Sequence, residues 1–100
     1  PSKQDAEKVL GLPSVFRILY AGTIGKANHL ESTIQLADVC QEDPIEWTVI
    51  GDGSEKVRLQ SMAADLPKVR FVDPVDKETI RLFHAASDAV YVSFGATAKG

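Results

Sequence analysis

Lys26 carries the only positive charge in the segment Gly22-Thr23-Ile24-Gly25-Lys26, which follows an apolar run and leads into a helical pattern. A lysine beside the free N–H groups of a helix start can pair with a phosphate as a point charge, and the positive end of the helix dipole favours the same anion. Gly22 and Gly25 permit torsions and close backbone approaches that a Cβ would forbid. The same residues also describe a plain turn with a solvated lysine, and both readings stay open at this level. Asp52 lies between Gly51 and Gly53 at the end of a second apolar run. Its carboxylate can accept a hydrogen bond from a ligand hydroxyl or from the N–H groups of its own turn. A third loop, Asp73-Pro74-Val75-Asp76, follows Val72.

Other chemistries find little footing. His29 and His84 fall on different predicted helices with no cysteine or carboxylate at ligand spacing, so no metal site is expected. Cys40, on the apolar side of a helical pattern, reads as a small core residue. There is no Gly-x-Ser-x-Gly elbow, no Walker-type Gly-Lys-Thr or Gly-Lys-Ser, and no cysteine–histidine pair. No nucleophile with an evident base is present, so no catalytic residue and no cofactor is assigned.

Placing those three loops together requires strands before them and helices after them. Residues 2–10 carry Ala6, Val9 and Leu10 at helical spacing, with Gly11 and Pro13 as stop signals. A strand is predicted over 16–21. Residues 28–41 follow as a helix, with Leu30, Ile34 and Ala37 in one apolar stripe and Leu36, Val39 and Cys40 widening it. The second strand is predicted over 45–50. Ser54 then caps a helix whose inward residues are Leu59, Met62, Ala63 and Leu66, closed by Pro67. A third strand covers 69–72. Asp76 caps a helix with Ile80, Phe83 and Ala86 inward, and a fourth strand covers 89–93.

This β-α-β-α-β-α-β order, with strands that are continuous apolar runs, predicts an α/β fold around a parallel sheet of about four strands. Ligands in such sheets bind where loops leave the carboxyl ends of the strands. All three loops lie at carboxyl ends, so they converge on one rim, which favours the anion-site reading of the first. The fourth strand is expected to leave Val90 and Val92 open to pairing, and so to promote edge-strand self-association.

The 100 residues, 44% of them hydrophobic, suffice for a single domain. A net charge of -3 with scattered lysines and arginines excludes a nucleic acid or an anionic membrane as the expected partner. One cysteine, no charged-then-apolar leader and no apolar run near ~20 residues suggest a cytoplasmic setting. The sequence starts at Pro1 and ends in Gly95-Ala96-Thr97-Ala98-Lys99-Gly100 directly after a strand-like run, as expected of a piece cut from something longer.

Several stretches, taken in order, resemble the retaining glycosyltransferases of the GT-B fold, often called glycosyl transferases group 1. They are Val9-Leu10-Gly11-Leu12-Pro13, Leu19-Tyr20-Ala21-Gly22-Thr23-Ile24-Gly25-Lys26 with Leu30-Glu31, Val49-Ile50-Gly51-Asp52-Gly53-Ser54-Glu55, Val69-Arg70-Phe71-Val72-Asp73-Pro74-Val75 and Ala86-Ser87-Asp88-Ala89-Val90. The resemblance spans nearly the whole sequence. It implies the truncated first part of a C-terminal, Rossmann-like three-layer α/β/α domain, which binds a nucleotide-diphosphate sugar (UDP- or GDP-sugar) against an N-terminal acceptor domain. By that resemblance Gly22, Thr23, Gly25 and Lys26 lie on the phosphate side, Val72, Asp73, Val75 and Asp76 on the base side, and Gly51, Asp52 and Gly53 shape the rim between.

Many members of that family have an arginine just after the first glycine and a lysine some five residues later. Here those places hold Thr23 and Asn28, so the basic clamp on the pyrophosphate is absent or has moved to Lys26. The loop is similar to the Gly-Asn-Ile-Gly-Lys loops of a bacterial polysaccharide-assembly subgroup, which implies surface-polysaccharide biosynthesis at or near the inner face of the membrane. The family's glutamate pair would fall beyond Gly100, so the isolated piece is expected not to turn over. The alternative is a doubly wound regulatory or ligand-binding module without catalysis. A phosphorelay receiver would want an acidic cluster after the first strand, and Asp52 alone does not supply one.

Overall fold

Successive side chains of β1 (Phe16–Ala21) face opposite layers of the molecule, as the two-residue period of a strand requires. The computed structural model describes residues 1–91, the side chain of Ala27 excepted. Ile18 and Tyr20 join Trp47 and Val49 of β2 (Ile45–Ile50) in a core covered by α2 (Leu30–Val39) and α3 (Lys56–Met62). Leu19 and Ala21 face the other way. They meet Ile50, Phe83 and Ile80 beneath α4 (Lys77–Ala85), beside which α1 (Lys3–Leu10) packs. Helices on both sides of one sheet make a three-layer α/β architecture around the parallel sheet that the alternation of apolar runs and helical patterns predicts, and this is the Rossmann-like arrangement that the resemblance implies.

All pairings are parallel, in the order β3-β2-β1-β4, with β3 at Val69–Val72 and β4 at Ala89–Val90. The chain thus steps outward from β1 through β2 to β3 and then crosses back to the other side of β1. The reversal leaves a switch point between β1 and β4, the place where open α/β sheets bind ligands.

Arg17 is the exception inside the apolar run of β1. It is 0% exposed, and its guanidinium donates to Glu46 Oε1 at 2.8 Å, Glu7 Oε2 at 2.9 Å and the carbonyls of Ala86 and Pro13 at 2.7 and 2.6 Å. A buried charge is tolerated only when paired and well hydrogen-bonded, and here four of the five guanidinium N–H groups have partners. Burial works against the charge, but the hydrogen bonds and charges of Glu46 and Glu7 outweigh it and hold the pKa above its ordinary value. One side chain thereby ties α1, the end of α4 and β2 to the first strand, at the sheet end remote from the loops.

Several local expectations are corrected. The helix expected from residue 28 begins at Leu30: a 3₁₀ turn at Lys26–Asn28 comes first, and His29 at φ 54° separates the two. Leu36 and Val39 do not widen the core stripe; they are 51% and 81% exposed, because only the Leu30–Ile34–Ala37 face meets the sheet. Val9 is likewise outward, Met62 is partly outward, and Cys40 is half-buried at the end of α2. Ser54 is no cap: Glu55 occupies the cap position of α3, and no side chain bonds the helix start. Asp76 does cap α4, accepting the Thr79 N–H at 2.8 Å. Val92 and Ser93 of the predicted fourth strand lie outside the described residues.

Candidate functional site

The first two loops are joined backbone to backbone. Gly22 N–H donates to the Ile50 carbonyl at 2.9 Å, Ile24 N–H to the Asp52 carbonyl at 2.9 Å, and Glu55 N–H returns to the Ile24 carbonyl at 3.0 Å. Gly51 N–H reaches the Val72 carbonyl at 3.1 Å, which links the second loop to the third strand. A Cβ on Gly51 would collide with the Gly22 carbonyl oxygen, and one on Gly53 with the Ile24 backbone. Gly51 and Gly53 are therefore accounted for by this close approach. Gly25 is different. Its φ of −118° is ordinary extended backbone, and a Cβ there would meet nothing nearer than 3.7 Å.

In extended backbone successive N–H groups point to opposite sides. Gly22 and Ile24 spend their N–H groups on the second loop, and those of Thr23 and Gly25 alternate with them along the chain. Among the described residues neither they nor the Lys26 N–H has an acceptor. Among the described residues the loop thus offers donors without acceptors, and Lys26 at its end is exposed. Such a set of fixed N–H dipoles and one cation suits an anion.

The Thr23 carbonyl is turned inward. It accepts the Tyr20 hydroxyl at 2.5 Å and the Asn28 side-chain amide at 2.6 Å. Tyr20 is buried beneath the loop with its ring 5.9 Å from that of Tyr91, and burial with Tyr91 nearby pushes its phenol pKa up.

Some of the expected site residues divide between two depressions, while Gly53, Val72, Asp73 and Asp76 line neither. Gly22, Thr23, Gly51, Asp52 and Val75 line a cleft of about 390 Å³ on the α4 side of the rim. Gly25 and Lys26 line a groove of about 680 Å³ between the starts of α2 and α3, with His29, Glu31, Glu55 and Arg58. Arg58 is engaged there by Glu55 at 2.7 Å and Glu31 at 2.9 Å. The first loop is the wall between them.

The carboxylates of the rim have local partners. Asp52 Oδ1 accepts the Gly53 N–H at 2.9 Å, as a turn aspartate does. Asp73 pairs with Lys56 Nζ at 2.5 Å, whose hydrogen bond and charge hold the Asp73 carboxyl below the usual range. The Thr79 hydrogen bonds do the same for the capping Asp76. Val72 is half-buried in the second core cluster, and its contribution to the rim is the carbonyl that receives Gly51. Tyr20, Asn28, Lys56 and Arg58 were not legible as site neighbours, because each acts across a loop or between helices with no periodic signature.

Among the described residues no three histidine, cysteine or acidic side chains are grouped to hold a metal ion, and no helix is long and apolar enough to cross a membrane.

No family model matches the sequence. Over 46 residues, 46% of the chain, it is 41% identical to the "Putative colanic acid biosynthesis glycosyl transferase WcaI" of Escherichia coli (strain K12). The matched stretch covers 11% of that protein, so the chain corresponds to a small part of the curated relative. This is a similarity to a glycosyl transferase over about half of the chain.

Proposed function

We propose that the chain is part of the donor-binding domain of a retaining GT-B glycosyltransferase, one that takes a sugar from a UDP- or GDP-sugar during surface-polysaccharide synthesis on the cytoplasmic side of the membrane. The observation that carries this reading is the set of Thr23, Gly25 and Lys26 N–H groups, which have no acceptor among the described residues, in the loop at the carboxyl end of β1. The similarity to a glycosyl transferase of colanic acid biosynthesis supports the reaction class.

In such a transfer the diphosphate leaves with a growing negative charge as its bond to the sugar breaks. Fixed N–H dipoles and Lys26 stabilise that charge without reorganising. The Val72 to Asp76 loop borders the nucleoside, and an N-terminal acceptor domain closes the cleft. This chain contributes positioning and charge stabilisation, and turnover needs residues beyond it.

Uridine and guanosine diphosphates titrated into the labelled chain should shift the amides of residues 22–28 and 72–76, with an affinity near ~1 mM, about 4 kcal/mol. Gly25→Val should remove binding while leaving the fold intact, since the space around Gly25 is open. Lys26→Ala should weaken binding mainly at low salt, because an exposed charge is screened. Shifts confined to another surface, or undiminished binding by Gly25→Val, would overturn the reading. The same proposal includes self-association through β4, an edge strand of the sheet among the described residues, where Val90 is 48% exposed. A strict monomer in concentrated sedimentation runs would remove that part.

A further inference from the structure

We infer that Tyr20 and Asn28 are positioning residues of the diphosphate loop, acting through the Thr23 carbonyl; the inference rests on the functional reading above. Any loop that offers N–H groups to an anion also carries carbonyls, and a carbonyl turned toward a phosphate repels it. Here the nearest one is occupied twice. The Tyr20 hydroxyl donates to the Thr23 oxygen from beneath at 2.5 Å, and the Asn28 amide donates to it from the following turn at 2.6 Å. Both lone pairs of that oxygen are thereby used.

The same peptide unit is fixed at its other end, where the Ile24 N–H donates to the Asp52 carbonyl at 2.9 Å. Flipping it would break three hydrogen bonds. With this peptide locked, the flanking Thr23 and Gly25 N–H groups, which have no acceptor among the described residues, are held in place. Gly22 makes the arrangement sterically feasible: a Cβ there would sit 3.2 Å from the Tyr20 hydroxyl oxygen, crowding the phenol out of its place under the loop. Burial and the neighbouring Tyr91 keep that phenol protonated, so it remains a donor.

The two side chains do not touch the ligand in this arrangement. Asn28 turns its amide into the loop rather than out toward an anion, and so does different work from a cation at that place. Tyr20 also links the loop to the end of β4 through its ring contact with Tyr91.

The test compares the full chain with its Tyr20→Phe and Asn28→Ala variants by NMR, using inorganic pyrophosphate and uridine diphosphate as probes. In each variant the Thr23 carbonyl ¹³C resonance should move upfield before any ligand is added, while Trp47 fluorescence and the protection of the Ile24 amide stay as in the parent. Affinity for both probes should fall about five- to tenfold per variant, the effect of one lost hydrogen bond. Should Tyr20→Phe fail to fold, Asn28→Ala carries the same test from the protein surface. A parent chain that binds the probes and variants that bind them equally well would overturn the positioning role and leave the functional reading standing. A parent chain that binds neither probe would overturn both.

Discussion

Lys56 and Asp73 form an ion pair in which the lysine side chain is 12% exposed and the carboxylate 91% exposed. The lysine starts α3 and the aspartate follows β3, so the pair spans the second and third loops at the rim. Lys56 gives Asp73 a lower pKa in the folded chain than in the unfolded one. Its contribution to stability is complete above the unfolded value of ~3.9 and is lost as pH falls through the lower folded value. Asp76, through Thr79, and Asp88, through the Arg17 N–H and Lys3, act in the same direction. Asp73→Asn should therefore flatten part of the acid limb of stability, with a small loss at neutral pH that high salt erases. Urea midpoints measured from about pH 6 to about pH 2 would show this, and an unchanged acid limb would refute it.

Arg17→Met should cost about 3–5 kcal/mol, because it removes the buried partner of Glu7 and Glu46 and leaves them only Lys3 at 3.8 Å and Arg70 at 3.1 Å. Combining it with Glu7→Gln and Glu46→Gln should recover much of that loss. Urea unfolding followed by Trp47 fluorescence measures both variants. A loss below about 1 kcal/mol for Arg17→Met would mean that the network is dispensable.

Thr48 lies in the centre of β2, 1% exposed, and its hydroxyl is a buried side-chain oxygen with no hydrogen-bond partner among the described residues. Valine has the same shape without the unmet polar group. Thr48→Val should be neutral or stabilising by up to about 1 kcal/mol, and a melting temperature lowered by several degrees would contradict that.

Two glycines on the rim should respond oppositely to alanine. Gly51→Ala drives a Cβ into the Gly22 carbonyl and should destabilise by more than about 2 kcal/mol. Gly25→Ala meets only ordinary contacts and should stay within about 0.5 kcal/mol. Paired denaturation curves decide it, and equal effects would erase the distinction between a glycine needed for packing and one open to a ligand.

The first three strands were legible to the residue, since β1, β2 and the half-buried β3 are mainly apolar runs ended by glycine or aspartate. Arg17 escaped notice because one charge within such a run does not disturb its hydrophobic pattern, and its partners Glu7, Pro13, Glu46 and Ala86 are scattered along the chain. The start of α2 was misplaced because His29 takes a left-handed conformation that glycine or asparagine would have signalled. Gly22, Gly51 and Asp73 share one rim, as parallel strands require. The side of the first loop on which Gly25 and Lys26 fall depends on which N–H groups bond the second loop, and residue types do not encode that.

The rungs from Gly22 to Ile50 and from Ile24 to Asp52 extend the β1–β2 ladder past the ends of both strands. Loop length on this part of the rim is consequently not free to drift. One residue inserted in either loop would slip every later rung and force a side chain into the space that Gly51 or Gly53 now leaves open. The third loop meets the second through the single Gly51–Val72 bond and a surface ion pair. It is there that insertions can be accommodated, so under the proposed function a change of ligand preference by remodelling would begin between β3 and α4 and leave the first loop as it is.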